Sequence, residues 1–466
     1  MSKTLRLFHR IRGGIYPPRN KHFTRERPIL KIEAPERVVI PLQQHIGTPC
    51  KPRVKKGDEV GVGTLIGDAE AYVSSPVHSS VSGKVAQVAP QPHPLGGDKL
   101  AVIIENDGLY TPDPSLRAPY PWREMPPEEI RKAVRSAGIV GMGGATFPTH
   151  VKLSPPSDSP IDTVIINGSE CEPYLTSDFR LLVEEADLVV EGLNIIMKAV
   201  GAGKGIVAIA DKKIEAIENV EATARGTGIE VFPLKTRYPA GAEKVLITNV
   251  LGREVPSGGL PMNVGVVVNN VGTSHAMAHY FAAGLPLVER VVTVNGSAVV
   301  NPSNLMIPLG TSFSAAVEAC GGFREPPGKV IMGGPMMGLA QYTLDVPVIK
   351  GTSGILALSV EEAGYRIPTE PICIRCGRCV DACPMNLVPT YLASYTHAGK
   401  WDELRRFNIL DCIECGCCTY VCPTKNPIVQ LVKTGKAELA RMKRREDKRK
   451  EELAAVDAEG GGDDGE

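Results

Sequence analysis

Long apolar runs are missing from this sequence. No stretch of about 18 apolar residues occurs, so no segment is expected to span a bilayer. Charge of one dominant sign is missing too: 52 basic residues face 52 acidic ones, and no net field argues for nucleic acid or an anionic surface. Aromatic residues make up only 5%, so stacking platforms for single-stranded nucleic acid are not expected. The segment from Met1 to Asn20 is basic but lacks the apolar stretch of a signal peptide. These absences predict a chain that stays in the cytosol, where thiols are kept reduced.

Glycine and proline, by contrast, are plentiful, at 48 and 39 residues, as fits many turns and short strands. With 43% hydrophobic and 22% charged residues the composition is that of a soluble globular protein. The length of 466 residues exceeds one ordinary core and predicts several domains. Twelve cysteines then need a purpose other than disulfides.

Nine of the twelve lie between Cys373 and Cys422. The first group reads CIRCGRCVDACP (Cys373, Cys376, Cys379, Cys383), and the second reads CIECGCCTYVCP (Cys412, Cys415, Cys418, Cys422). Both follow the run C-x2-C-x2-C-x3-C-P of bacterial ferredoxins, in which the cysteine before proline ligates the other cluster. Three closely spaced thiolates in a tight loop reach three corners of one cubane. The spacing therefore predicts two [4Fe–4S] clusters: the first on Cys373, Cys376, Cys379 and Cys422, the second on Cys412, Cys415, Cys418 and Cys383. A pair of zinc sites is the bland alternative, but zinc takes four ligands, commonly as two separated pairs, and has no use for two such runs with matching prolines. Cys417 stands outside the spacing, as a bystander or as a stand-in for Cys418. The isolated Cys50, Cys171 and Cys320 read as small buried residues. Clusters move single electrons and make no bonds themselves, so the remainder of the chain has to supply what feeds them.

Along the chain the pattern predicts a multidomain α/β protein. An extension over residues 1–36 precedes a β barrel-sandwich of the lipoyl type over 37–110, with half-repeats at Lys51–Asp68 and Val73–Val88. The hairpin tip between those halves, Asp68 to Ala71, carries no lysine, and Lys84 falls inside a strand, so the domain reads as structural or docking rather than as a swinging arm. Over 120–286 helices and strands alternate, which predicts a Rossmann-like, mostly parallel sheet. Its helices are expected at about Pro126–Gly138, Arg180–Val200, Lys212–Ala224 and Ala242–Val250. Its strands are expected at Asp162–Asn167, Gly205–Ala210, Ile229–Pro233 and Val264–Val268. A β-grasp domain over 287–345, a linker over 346–365, the helical cluster module over 366–433 and a charged helical tail over 434–466 complete the expectation. The tail reads as a solvated extension, with a docking helix as the alternative.

A second chemical signal is the loop Gly141-Met142-Gly143-Gly144-Ala145-Thr146-Phe147, with Lys152 just downstream. It follows a helix, so it fails the context test for a dinucleotide fingerprint. Packed glycines nevertheless let backbone N–H groups meet a flat or anionic ligand, and Lys152 is a point charge for phosphate. Asn167 to Glu172 and then Asn269 and Asn270 end two of the predicted strands, where ligands bind in open α/β sheets.

The segments VGMGGATFPTHVKL, INGSECEP, YPAGAEKV and VVNNVGT resemble, in that order, the flavin- and NADH-binding segments of the complex I subunit that oxidises NADH. With a carrier-like sandwich in front and a double ferredoxin behind, the chain is similar to the RnfC family of Rnf complexes from about Phe8 to Leu431. The opening GGIYPPRNK and the stretch QHIGTPCKP to SSPVHSSVSGKV carry the same likeness. The resemblance implies non-covalent FMN against Gly141, Gly143, Gly144 and Lys152, with Asn167, Glu170, Asn269, Asn270 and Thr273 around its ring and ribityl chain. It implies NADH received by Phe147, Glu172, Tyr238, Gly241 and Glu243, the last of which would repel the extra phosphate of NADPH. Met142 and Ala242 depart from the complex I pattern, replacing a basic and an acidic residue. The β-grasp domain is implied to be of the SLBB type. The implied role is exchange of electrons between NAD(H), FMN and both clusters in a peripheral subunit at the cytoplasmic face of the inner membrane. Membrane-embedded partner subunits would hold it there, pump Na+ or H+, and link it to ferredoxin. The alternatives are a cobalamin-reductase-like protein, whose flavin domain would come first, and an electron relay that uses only the clusters.

Overall fold

The computed structural model describes residues 13–364 and 372–460, with side chains as far as Glu452. The start of the expected extension, the junction expected at 365–366 and the last residues of the expected tail lie outside the described residues. The chain divides into two compact units, one of residues 16–364 and one that joins residues 13–15 to 372–460.

In the first unit, short strands of alternating polarity build the sandwich. Arg37–Pro41, Asp98–Asn106, Gly83–Pro92 and Glu59–Val60 form one antiparallel sheet in that order, and Lys51–Pro52, Leu65–Asp68 and Val77–His78 form the other. Val38, Ile40, Ile66, Val85, Val102 and Ile104 fill the space between them. Each such side chain stabilises the fold by about 1.5–3 kcal/mol on burial. Lys84 is exposed on the strand Gly83–Pro92.

The α/β domain has four parallel strands in the order Glu230–Leu234, Lys204–Ala210, Thr163–Gly168, Val266–Asn270. Their runs VII, IVAI and VVV are buried, as in sheets covered on both faces. The expected helix Arg180–Val200 is two helices, Ser177–Glu184 and Ala186–Val200, broken at Glu185, where φ is −136° and ψ 42°. At the break the Glu185 carboxylate is bonded by His275 of the helix Val271–Ala283. That helix also packs so closely on Ala186–Val200 that a β-carbon at Gly192 would lie 1.9 Å from the Ser274 carbonyl.

The β-grasp domain departs from its expected limits at both ends. Its six-stranded sheet runs Ile29–Lys31, Ser303–Pro308, Glu289–Asn295, Gly354–Leu358, Lys329–Met332, Leu339–Ala340. The stretch expected as a linker thus supplies Gly354–Leu358, a fully buried strand parallel to Glu289–Asn295 and antiparallel to Lys329–Met332. The expected extension supplies the edge strand Ile29–Lys31. GILAL is a short apolar run of the kind that fills the middle of a sheet, and its place there is decided by partners far away in the sequence.

The second unit is helical, with Leu392, Leu404, Ile409, Ile428, Val432 and Leu439 in its core. Its last helix runs unbroken from Ile428 to Gly460. The expected boundary at residue 434 therefore falls inside one helix, whose first turns are core and whose later turns are exposed. Gly13 and Gly14 pack on the first cysteine run: the Gly14 N–H donates to Ala382 O at 2.9 Å. A β-carbon at Gly13 would lie 2.4 Å from the Cys383 carbonyl.

Candidate functional site

The central strand Thr163–Gly168 and its edge neighbour Val266–Asn270 end side by side, with Asn167 in register with Asn270. The Asn167 amide donates to Gly241 O at 2.8 Å and its Oδ1 accepts from the Ser169 hydroxyl at 2.8 Å. A β-carbon at Gly241 would meet Ser169 Oγ at 2.1 Å and displace that hydroxyl from Asn167. Asn270 Oδ1 caps the following helix through the Gly272 N–H at 2.8 Å, while its Nδ2 donates to Asp178 Oδ2 at 2.7 Å. Thr273 holds the glycine loop from the same helix, since its hydroxyl accepts the Met142 N–H at 2.9 Å and donates to Val140 O at 3.2 Å. The Gly141 N–H closes the loop on Phe147 O at 2.9 Å, leaving the Phe147 ring 36% exposed.

Lys152 ends a short helix and reaches back across the strand ends. Its ammonium donates to Val268 O at 2.6 Å and to Glu243 Oε1 at 2.7 Å. The lysine expected on the flavin phosphate and the acid expected on NADH are therefore neighbours. Glu172 is turned elsewhere. Its carboxylate accepts the N–H groups of Met336 and Met337, at 3.1 and 3.0 Å, on a turn of the β-grasp domain. The Tyr238 hydroxyl donates to the same carboxylate at 3.3 Å. Burial pushes the Glu172 carboxyl above its ordinary range, with these hydrogen bonds acting against the rise.

Glu170, in the left-handed region at φ 40°, is the electrostatic centre of this loop. Its carboxylate meets Lys213 at 2.9 Å and Lys21 at 3.4 Å, and accepts the Asp178 N–H at 2.8 Å at the start of the helix Ser177–Glu184. Burial alone would raise its pKa, but Lys213 and then Lys21 hold it below the usual carboxylate value. Asp178 behaves oppositely, pushed up to about 6 by burial and then by the Glu170 charge. Sequence reasoning missed Lys21, Lys213 and Asp178. Lys213 had a signal, since it follows the strand Lys204–Ala210 at the ligand-binding edge of the sheet; Lys21 ends the segment GGIYPPRNK that carries the family likeness, but nothing in that irregular stretch pointed to Glu170.

Replacing Glu170 by glutamine leaves Lys213 and Lys21 buried without their charge partner. The expected loss is about 3–5 kcal/mol of stability, read by urea unfolding. Because its folded pKa is lowered, Glu170 stabilises the protein above the ordinary carboxylate value of 4.5, and that contribution disappears as the pH falls below it. Asp178, with its folded pKa raised, loses stability as the pH climbs from 3.8 through about 6.

The fit to a flavin has a direct structural mark. Asn269 is 3% exposed, and neither its Nδ2 nor its Oδ1 has a hydrogen-bond partner among the described residues. A buried amide left unpaired costs about 1–3 kcal/mol per group, so it calls for a ligand with both a donor and an acceptor. Beside it, Gly143 sits where a β-carbon would lie 2.6 Å from Asn270 Nδ2, whereas Gly144 has nothing within 4 Å.

In the second unit the two cysteine loops repeat one backbone. Arg375 and Glu414 both have φ of 56°, Gly377 and Gly416 both 77°, and Asn386 and Lys425 have 54° and 58°. One cavity is lined by Cys412, Cys415 and Cys418 of the second run together with Cys383 of the first. That grouping fits the crossed pattern expected for a [4Fe–4S] cluster. Of the other four, Cys373 and Cys376 are exposed, Cys379 is buried and Cys422 half-buried. Backbone N–H groups of Glu414 and Asn426 point at Cys412 Sγ and Cys422 Sγ, each at 3.4 Å. The remaining thiols are not activated: burial pushes Cys171 and Cys320 up to about 11.

Four family descriptions match in the order the fold shows. Residues 9–109 match the RnfC barrel sandwich hybrid domain, 134–279 the Nuo51 FMN-binding domain, 291–340 the SLBB domain and 372–426 the 4Fe-4S dicluster domain. The C subunit of the Na(+)-translocating ferredoxin:NAD(+) oxidoreductase complex of Acetobacterium woodii is 48% identical over 93% of this chain and 98% of its own length. The C subunit of the proton-translocating ferredoxin:NAD(+) oxidoreductase complex of Clostridium ljungdahlii is 46% identical over 92% of this chain and 93% of its own. The chain belongs to the RnfC family. Its cofactors are FMN and [4Fe–4S] clusters. The sandwich precedes the flavin domain, the order expected of the RnfC family and not of the cobalamin-reductase alternative. Among solved structures, an air-oxidised NAD+-reducing [NiFe]-hydrogenase aligns over 62% of this chain and 55% of that one, with 22% identity and a TM-score of 0.48, a likeness too loose to carry function.

Proposed function

We propose that this RnfC family member exchanges electrons between NAD(H) and its two clusters by way of FMN, on the nucleotide side of an ion-translocating ferredoxin:NAD+ oxidoreductase. The observation that carries the reading is the orphaned amide of Asn269, in an FMN-binding fold on the same chain as eight cysteines at ferredoxin spacing. NADH gives up two electrons together and a cluster takes one; bound flavin supplies the conversion between them. The chain's own residues position and exclude. Asn269 presents its unpaired amide to the flavin ring, Asn270, its own amide held by Asp178 and Gly272, bounds the site beside it, and the glycine loop offers backbone N–H groups. Lys152 turns from Glu243 toward phosphate. Glu243 is then free to accept from the adenosine ribose and to repel a 2′-phosphate, which favours NAD over NADP. Tyr238, Gly241 and Phe147 bound the remaining space, while Glu172 holds the turn at Met336 and Met337 behind Tyr238.

The eight cysteines divide as the spacing and the shared cavity favour, with Cys383 and Cys422 crossing between runs. No helix among the described residues is long and apolar enough to cross a membrane. Membrane-embedded partner subunits hold the protein at the cytoplasmic face and connect it to ferredoxin. They also set the coupling ion, since relatives named for Na+ and for protons match this chain at 48% and 46%. The test is anaerobic: reconstitute the protein with iron, sulfide and FMN, add NADH, and record absorbance and EPR. Flavin bleaching followed by reduced-cluster EPR signals is the expected result. Intact clusters that stay oxidised, with no flavin retained, would leave a relay fed by its partners.

A further inference from the structure

The two cysteine loops share a backbone but differ at the residue after the loop glycine. In the first loop it is Arg378, which is exposed; in the second it is Cys417, which is 0% exposed. Both residues open a short helix, Arg378–Asp381 and Cys417–Tyr420. What separates them is the C-terminal helix. Its Val429 and Val432 line the same cavity as Cys417, and the Val429 N–H is anchored on Thr419 Oγ1 at 2.9 Å. Cys417 therefore joins Cys383, Cys412, Cys415 and Cys418 in the wall of one cavity, fully buried and two residues along the same loop from Cys415.

Four of those five sulfurs satisfy the cluster, so the fifth has no coordination position to fill. We propose that the Cys417 S–H donates a hydrogen bond to the Cys415 sulfur and thereby raises the reduction potential of the second cluster. This rests on the cluster assignment proposed above. Reduction adds negative charge to an enclosed cluster, which burial disfavours, and a donor on a ligating sulfur draws off part of that charge. At the first cluster the matching side chain, Arg378, is out in solvent, and the side-chain donors beside its sulfurs are instead the hydroxyls of Thr390 and Thr424, each 3.4 Å from Cys373 Sγ and Cys422 Sγ respectively.

The test needs neither NADH nor FMN, so it stands apart from the nucleotide reading. Full-length C417A, C417V and C417S are reconstituted with iron and sulfide, and both clusters are titrated against potential with EPR detection. In C417A and C417V one of the two reduction waves is expected to move to more negative potential, with the other wave and the iron content unchanged. C417S, which keeps a donor of similar size, is expected to stay close to the wild-type value. Two unmoved waves in the alanine and valine variants would overturn the proposal. Loss of about half the iron from them would also overturn it, by making Cys417 a ligand. If alanine leaves a cavity too large for the module to fold, valine restores the volume without the donor and decides alone.

Discussion

Changing Cys383 to serine is expected to remove the second cluster and leave the first intact, although Cys383 lies in the first cysteine run. Its side chain lines the cavity of Cys412, Cys415 and Cys418, and the proline that follows it turns the chain away from its own loop. Iron per chain should fall to about half, because a cubane with three protein ligands is poorly held. The decisive measurement is a pair of double variants. C383S combined with C412S should lose no more iron than C383S alone, because both changes strike one cluster. C383S combined with C373S should lose nearly all of it. The reverse pattern would mean that each run holds its own cluster, and the crossed assignment would fall. Non-additivity within one cluster and additivity between two is the signature that separates these cases. The N-terminal Gly13-Gly14 pair, packed on the Ala382 and Cys383 carbonyls, helps to fix this crossover in place.

The second large effect is expected from adjacent glycines that look alike in the sequence. Gly143→Ala should lower FMN affinity by about 10- to 1000-fold, and Gly144→Ala should leave it nearly unchanged. At Gly143 the new β-carbon meets Asn270 Nδ2 at 2.6 Å and its Cβ at 2.8 Å. Asn270 cannot yield cheaply, because it holds both Asp178 and the N–H of Gly272. The loop has to move instead, and it carries the backbone N–H groups offered to the ligand. Neither glycine adopts a left-handed conformation, so backbone strain does not confuse the comparison. Retention of FMN on desalting, followed by fluorescence titration, reads the difference. Equal affinities for the two variants would contradict the placement of the flavin against Gly143.

The cysteine spacing, the glycine loop and the alternation of helix and strand were legible in the sequence because each is local. A cubane needs three thiolates in one tight turn, a close backbone approach needs glycine, and burial on both faces leaves runs such as GIVAIA. What stayed hidden depends on partners far along the chain. Nothing near Gly354–Leu358 says that this run fills the centre of a sheet whose edge is Ile29–Lys31. Nothing near Glu185 announces the break there or its pairing with His275. Glu170 reads as a flavin contact, yet its charge is matched by Lys213 and Lys21, one of them beyond the next strand and the other before the sandwich. Glu172 reads as a nucleotide contact, yet it also clamps a turn of the β-grasp domain through Met336 and Met337. Local residue choice sets which segments form strands, helices and cluster loops. Which buried charge meets which, and which strand lies in the middle, are settled only when distant segments compete for the same core, because an unpaired charge or an unfilled sheet costs more than any local preference can offset.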